Sequence, residues 1–254
     1  MATFAELGLS EPILEALREL SYDEPTPIQE QAIPALASGR DVIAHAQTGT
    51  GKTAAFALPI IQRLTPENVP QALVLAPTRE LAMQVAEAMF RYGKHAGARV
   101  TPVYGGQPIE RQLRALARGV QVVVGTPGRI MDHMRRGTLA LDAISTVVLD
   151  EADEMLDMGF AEDIEYILQQ TPAERQTALF SATMPEEVLD LAMRYTRDPQ
   201  RISVVTEQMT APSTRQVYYE VPPREKLDAL CRVLDVETPA SAMIFCRTRA
   251  EADR

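Results

Sequence analysis

Short apolar and β-branched runs alternate with amphipathic stretches along most of the chain. Val42–Ala44, Ala72–Ala76, Arg99–Tyr104, Gln121–Val124, Thr146–Leu149, Thr177–Phe180 and Arg201–Val205 each predict a strand. Between them, Glu80–Tyr92, Ile109–Arg118 and Glu186–Tyr195 carry apolar residues at helical spacing, and Pro12–Leu20 predicts a further helix near the N-terminus. Strands that alternate with helices in this way predict an α/β fold, a parallel sheet flanked by helices on both faces. In such sheets ligands collect in the loops at the carboxyl ends of the strands.

The rhythm stops at Thr206–Thr214, a polar stretch with no apolar period, which reads as a linker. It restarts with Gln216–Val221 and Ala242–Cys246 as strands and Arg224–Leu234 as a helix between them. The expected organisation is a first domain over residues 1–205, a linker over 206–214, and the truncated start of a second domain over 215–254. Some forty residues are few for an independent core, so the chain is expected to be part of something longer. The alternative is a C-terminal decoration that adds to an existing sheet edge.

Composition adds few constraints. Hydrophobic residues make up 46% and charged residues 24% of the 254, as in ordinary globular proteins. No apolar run approaches the ~20 residues that span a bilayer, and Met1–Ser10 lacks a basic region followed by an apolar stretch. A soluble protein of the cytoplasm without membrane partners is expected. Cys231 and Cys246 lack metal-ligand spacing and read as buried or incidental thiols. The net charge of −10 does not exclude nucleic acid, because phosphates are gripped by local arrays; it predicts modest, salt-sensitive affinity.

Ala46-Gln47-Thr48-Gly49-Thr50-Gly51-Lys52-Thr53 lies between a predicted strand and the apolar stretch Ala54–Leu58. In that context it reads as a phosphate loop: small residues let backbone N–H groups wrap the anion, and the following helix points its positive end at it. Lys52 is expected on the outer phosphates and the Thr53 hydroxyl on Mg²⁺. The usual pattern opens with Gly where this chain has Ala46, and the alternative is a plain strand–turn–helix corner. The strand Thr146–Leu149 ends in Asp150-Glu151-Ala152-Asp153. Asp150 fits a Mg²⁺-holding acid shared with Thr53, and Glu151 a group that orients or deprotonates water. Plain acidic residues at a helix N-terminus are the competing reading.

Asp150-Glu151-Ala152-Asp153 is also the string that names the DEAD-box RNA helicases, and the chain resembles that family over nearly its whole length. Pro25-Thr26-Pro27-Ile28-Gln29, Pro77-Thr78-Arg79-Glu80-Leu81, Gly105-Gly106, Thr126-Pro127-Gly128-Arg129, Ser181-Ala182-Thr183 and Met243–Thr248 match in order, with a bacterial look. The resemblance implies a RecA-like domain that uses ATP and Mg²⁺, and Ala at the first loop position is common in the family. It implies that Gln29 reads adenine, since an amide offers N6 an acceptor and N7 a donor together, and that Tyr22, with Phe4 upstream, attends the base. Packing against the N-terminal helix is the alternative for both aromatics.

The resemblance further implies an RNA track formed by Pro77, Thr78, Arg79, Gly105, Gly106, Thr126, Pro127, Gly128 and Arg129. Such groups contact the sugar–phosphate backbone and tolerate sequence, though Arg79 and Arg129 could also brace loops. Asp153 with Ser181 and Thr183 would couple the nucleotide and RNA sites; the plainer reading is a cap before Pro185. Catalytic weight falls on Lys52, Asp150 and Glu151. In the family the transition-state arginines belong to the second domain, beyond Arg254, so weak ATP and RNA binding without full activity is expected. An ATP-gated RNA clamp and a DNA-directed helicase are the rival functions. His45, His95 and His133 show no catalytic or metal spacing, and Met155 and Met158 read as core filling.

Overall fold

The computed structural model describes residues 3–204, 215 and 217–252. Seven strands follow in chain order: β1 (Val42–Ala46), β2 (Ala72–Leu75), β3 (Val100–Val103), β4 (Val122–Gly125), β5 (Thr146–Asp150), β6 (Gln176–Ser181) and β7 (Gln200–Val204). They form one sheet in the order β3-β4-β2-β5-β6-β1-β7, and every neighbouring pair is parallel. All seven expected strands are present; Val205, expected to end the last, lies outside the described residues.

Parallel strands require crossovers, and helices supply them. Before the sheet come α1 (Glu11–Glu19) and α2 (Pro27–Ala37); α3 (Lys52–Arg63) follows β1, α4 (Arg79–Tyr92) follows β2, α5 (Ile109–Ala117) follows β3 and α6 (Pro127–Arg135) follows β4. Then α7 (Ala152–Asp157) and α8 (Ala161–Gln169) follow β5, and α9 (Glu186–Tyr195) joins β6 to β7.

Side chains one residue apart in a strand point to opposite faces, and the core divides accordingly. Val42 and Ala44 of β1, Ala72 and Val74 of β2 and Phe180 of β6 join Ile13, Ile33, Phe56 and Met89 from α1 to α4. Ile43, Leu73, Leu75 and Leu179 join Ile130, Met155, Ile167 and Leu191 from α6 to α9 on the other face. Burial on both faces explains why these strands read as near-continuous apolar runs. Pro102 sits in β3, at the sheet edge, where its missing N–H costs no ladder bond.

Chain contacts separate two compact units, Met1–Thr206 and Glu207–Arg254. The expected linker at 206–214 lies outside the described residues. In the second unit a one-turn 3₁₀ helix (Pro223–Glu225) leads into α10 (Lys226–Glu237), and α11 (Arg249–Ala252) follows, so the expected helix at Arg224–Leu234 is present. The two strands expected here are absent: residues 217–221 and 242–246 make no ladder, and Gln216 lies outside the described residues. A strand must pair its backbone groups, and this unit offers its apolar side chains no sheet: Val217, Tyr218, Ile244 and Phe245 are all more than half exposed.

Cys231 and Cys246, also in this unit, are exposed rather than buried. Met155 fills core as expected, whereas Met158 is 52% exposed, because α7 ends at Asp157 and the chain turns outward there. No helix among the described residues is long and apolar enough to cross a membrane.

Candidate functional site

The carboxyl ends of β1, β2, β3, β4, β5 and β6 place the loops singled out in the sequence along one edge of the sheet. β1 delivers Ala46, fully buried, and α3 begins at Lys52. The turn between closes on itself: the Thr50 hydroxyl donates to the Gln47 carbonyl at 2.7 Å. Gly49 and Gly51 both adopt left-handed φ, +85° and +95°. The left-handed φ favours glycine at Gly51, and a Cβ there would also lie 2.4 Å from Gln29 Nε2, so the Gln29 side chain would have to shift.

Gln29 is 1% exposed, and both ends of its amide hold backbone. Nε2 donates to the Gly51 carbonyl at 3.1 Å, and Oε1 accepts the Thr26 N–H at 2.9 Å. The residue expected to read a base therefore also ties the phosphate loop to the start of α2. Phe4 is 4% exposed and packs in the core, and its ring lies 6.4 Å from that of Tyr22, the other aromatic expected near the base. Tyr22 is 38% exposed, and its hydroxyl is 3.2 Å from that of Tyr92.

Lys52 and Asp150 carry the clearest chemical signal. Lys52 is 6% exposed and Asp150 2%, yet neither Lys52 Nζ nor Asp150 Oδ1 has a hydrogen-bond partner. Buried charged groups are normally paired or coordinated, so orphaned atoms of opposite charge beside a phosphate loop fit a phosphate and a cation. Burial pushes the Asp150 carboxyl up to about 6, with Lys52 opposing the rise and Glu151 adding to it. A divalent cation would reverse that balance. Thr53 stands in the first turn of α3, half-buried, next to Lys52.

Glu151 follows β5 in left-handed conformation, φ 52° and ψ 55°, which turns the chain from the strand into α7. For a non-glycine residue this is stored strain, and its carboxylate accepts the Thr48 hydroxyl at 3.1 Å. Two residues on, Asp153 Oδ2 accepts both the backbone N–H and the hydroxyl of Thr183, each at 2.8 Å. The Ser181 hydroxyl oxygen accepts the Asp153 N–H at 3.2 Å. Burial raises the Asp153 pKa, but hydrogen bonds from Ser181 and Thr183 outweigh it and hold the carboxyl below its ordinary value. The capping alternative fails: α9 has Pro185 at its N-cap and no side-chain cap bond. His45, on the neighbouring strand, places Nε2 3.0 Å from the Ala182 carbonyl and so steadies the same loop.

On the far half of the edge, Pro77 is buried while Thr78 and Arg79 are exposed, and the Thr78 hydroxyl caps α4 by accepting the Leu81 N–H at 3.2 Å. The Arg79 guanidinium lies over the Tyr104 ring, 5.3 Å from its centroid, and 3.6 Å from where a Cβ on Gly106 would sit. Gly105 is half-buried and Gly106 exposed. Thr126 is the N-cap of α6, with Pro127 buried and Gly128 exposed in its first turn. Arg129 donates to the Gln107 carbonyl at 3.4 Å and to Gln112 Oε1 at 3.3 Å, so it braces the Gly105-Gly106 loop as well as edging this face.

Tyr104, Gln112 and His133 went unassigned in the sequence reading. Gln112 and His133 are 2% and 0% exposed. Gln112 could have been found as a lone polar residue on the apolar stripe that Ile109, Leu113 and Leu116 form along α5; His133 carried no comparable signal.

Residues 26–191 match the model of the DEAD/DEAH box helicase family. The chain is 52% identical over its whole length to the DEAD-box ATP-dependent RNA helicase CshA of Geobacillus kaustophilus, 54% of which it covers. It is 55% identical over 249 residues to the ATP-dependent RNA helicase DeaD of Escherichia coli, covering 97% of this chain and 40% of that protein. It thus spans about half the length of the curated relatives it matches. Among solved structures, a DEAD box protein from the hyperthermophile Methanococcus jannaschii superposes with a TM-score of 0.78 at 40% identity, over 99% of this chain and 68% of that one. A hypothetical ATP-dependent RNA helicase from Sulfolobus tokodaii gives 0.72 at 38% identity, over 77% and 57% of the respective chains. With the phosphate loop, the carboxylate strand end and the RecA-like sheet all in place, the chain belongs to the DEAD/DEAH box helicase family.

Proposed function

We propose that the chain is the ATP-binding part of a cytoplasmic ATP-dependent RNA helicase. Residues 1–205 form its ATP-binding domain, 206–214 a linker and 215–254 the opening of a second helicase domain. The observation that carries the nucleotide reading is the pair of unpartnered buried atoms, Lys52 Nζ and Asp150 Oδ1, at the mouth of the phosphate loop. Lys52 and the N–H groups of residues 47–53 would hold the phosphates, and Thr53 with Asp150 the Mg²⁺. When bound, Mg²⁺ supplies charge neutralisation on the phosphates. Glu151 orients the attacking water. Gln29 keeps one donor hydrogen and one lone pair beyond its two backbone bonds, which suits adenine N7 and N6.

The edge from Thr78 to Arg129 binds single-stranded RNA through its sugar–phosphate backbone, without reading sequence. Asp153, Ser181 and Thr183 stand between the two sites and couple them. Hydrolysis by these 254 residues alone is slow, because the family's transition-state arginines lie in the second domain.

The test is binding of a fluorescent ATP analogue, competed by ATP or GTP, by wild type and Lys52→Ala. Loss of binding in the variant and preference for ATP are expected; equal competition by GTP overturns the adenine assignment. Matched RNA and DNA strands then separate RNA from DNA as the partner, and strong RNA-stimulated hydrolysis by this chain would refute the half-site reading.

A further inference from the structure

We infer that Gln112 is a positioning residue for the nucleic-acid face, holding Arg129 and the Gly105-Gly106 loop in a single geometry. The inference rests on the RNA-backbone reading of that face. Gln112 is nearly fully buried on α5, where an amide is costly unless its donors and acceptor are met. Three bonds meet it. Nε2 donates to the Tyr104 carbonyl at 2.8 Å, and Oε1 accepts from Arg129 Nη1 at 3.3 Å and from the His133 ring at Nε2, 3.0 Å away. Since Oε1 has no hydrogen to give, the His133 bond requires the proton on Nε2. The Thr138 hydroxyl, 2.8 Å from Nδ1, meets the other side of the ring.

One amide therefore joins the end of β3 to α6. Tyr104 immediately precedes Gly105, and its ring lies beneath Arg79. Arg129 reaches the same loop through the Gln107 carbonyl. The two arginines expected to meet phosphates are thus both referred to residues 104–107, one by the Tyr104 ring and the other by the Gln107 carbonyl and, through Gln112, the Tyr104 carbonyl. The Asp132 carboxylate is no substitute anchor: it lies 3.9 Å from Arg129 and only 2.7 Å from Arg136. An arginine held in place before binding loses less side-chain freedom when it grips a phosphate. Few other side chains supply this pattern at this length. Glutamate would set an oxygen against the Tyr104 carbonyl, and methionine would leave that carbonyl and His133 Nε2 unmet and Arg129 with the Gln107 carbonyl alone on this side.

The experiment compares wild type, Gln112→Met and Gln112→Glu in the 254-residue chain. It measures affinity for a fluorescein-labelled oligouridylate across a salt series, affinity for a fluorescent ATP analogue, and Tm. For Gln112→Met the RNA Kd is expected to rise about fivefold and the salt slope to fall by about 0.7, the signature of one lost single-strand phosphate contact. The nucleotide Kd, measured without RNA, is expected to stay within about twofold, because the hydrogen bonds of Gln112 run to Tyr104, Arg129 and His133 and to no residue of the phosphate loop. A role in folding alone would lower Tm without changing the salt slope, and an unchanged RNA Kd and slope overturns the inference. Should the methionine variant not fold, the volume-matched glutamate variant decides. There the new carboxylate draws Arg129 into an ion pair, RNA affinity falls, and unaltered affinity overturns the inference. Wild type that binds the ATP analogue but no RNA at any salt refutes the RNA reading itself, and the role of Gln112 with it.

Discussion

The Thr48 hydroxyl in the phosphate loop donates to the Glu151 carboxylate across 3.1 Å, joining the loop after β1 to the acid after β5. Glu151 is held by this bond in a left-handed conformation that its backbone disfavours. Glycine carries no such penalty, and relief is worth about 1 kcal/mol. The Glu151→Gly variant is therefore expected to melt about 2 to 4 °C higher than wild type, since a chain of this size gains that much per kcal/mol. Any RNA-stimulated hydrolysis should disappear in the same variant. Thermal melts beside a phosphate-release assay check both, and a lower Tm would show that the lost Thr48 bond outweighs the relieved strain.

Gly51 and Gln29 form the tightest approach in the nucleotide site. Gly51→Ala must keep φ near +95° and accommodate a carbon 2.4 Å from Gln29 Nε2. The expected cost is about 2 kcal/mol or more, combining left-handed strain with overpacking. Shortening Gln29 to Ala removes the clash and leaves the strain. In a double-mutant cycle, Gly51→Ala should therefore cost roughly 1 kcal/mol less in the Gln29→Ala background than in wild type. Urea denaturation of the four proteins measures it, and simple additivity would mean the loop moves away from Gln29 without resistance.

The sheet was legible because its central strands β2, β4 and β5 are buried on both faces and read as near-continuous apolar runs; Val147-Val148-Leu149 could hardly be anything else. The phosphate loop and the DEAD carboxylates were legible because their chemistry is local in sequence. What stayed hidden depends on contacts between distant residues. Gln29 Nε2 meets the Gly51 carbonyl across 22 positions, and Gln112 meets Arg129 across 17. No local pattern announces such a bond, and glutamine on a helix is usually solvent-facing. Phe4 illustrates the converse: an isolated aromatic matched a family position, and its packing into the core is visible only once the fold is assembled. The strands expected near Val217 and Ile244 failed because a strand is a property of a pair, and propensity supplies only one member.

Asp153 makes a pH-dependent contribution to stability. Its carboxyl titrates below the ordinary aspartate value of 3.8 in the folded state because hydrogen bonds from Ser181 and Thr183 outweigh burial. A depressed carboxylate stabilises the fold above the unfolded pKa, and that contribution is lost as pH falls through the folded one. Thr183→Val removes the hydroxyl bond and keeps the backbone bond. The variant should be destabilised by about 1.5 kcal/mol at pH 7, the low end for a hydrogen bond to a charged group, since Thr183 is exposed. As pH falls below 3.8 and through the folded pKa, where wild type loses the same contribution, the two melting curves should converge. A Tm difference that stays constant over that fall would place the effect in packing of the valine instead.

Lys52 and Asp150 give the last test, through metal removal. Lys52 Nζ and Asp150 Oδ1 are buried polar atoms without hydrogen-bond partners, and each is suited to a different part of the same ligand. Phosphate oxygens would satisfy Lys52 Nζ, and the cation held with Thr53 would satisfy Asp150. Chelating Mg²⁺ from wild type is therefore expected to weaken binding of a fluorescent ATP analogue by about tenfold, equivalent to about 1.4 kcal/mol. Asp150→Asn removes the charge proposed to recruit the cation but keeps the shape of the site, so its affinity should be nearly the same with Mg²⁺ or with chelator. Lys52→Ala should bind weakly in both conditions, because its loss falls on the phosphates. If the asparagine variant responded to Mg²⁺ as strongly as wild type, another group would have to hold the metal, and Asp150 would be left a buried acid without a function.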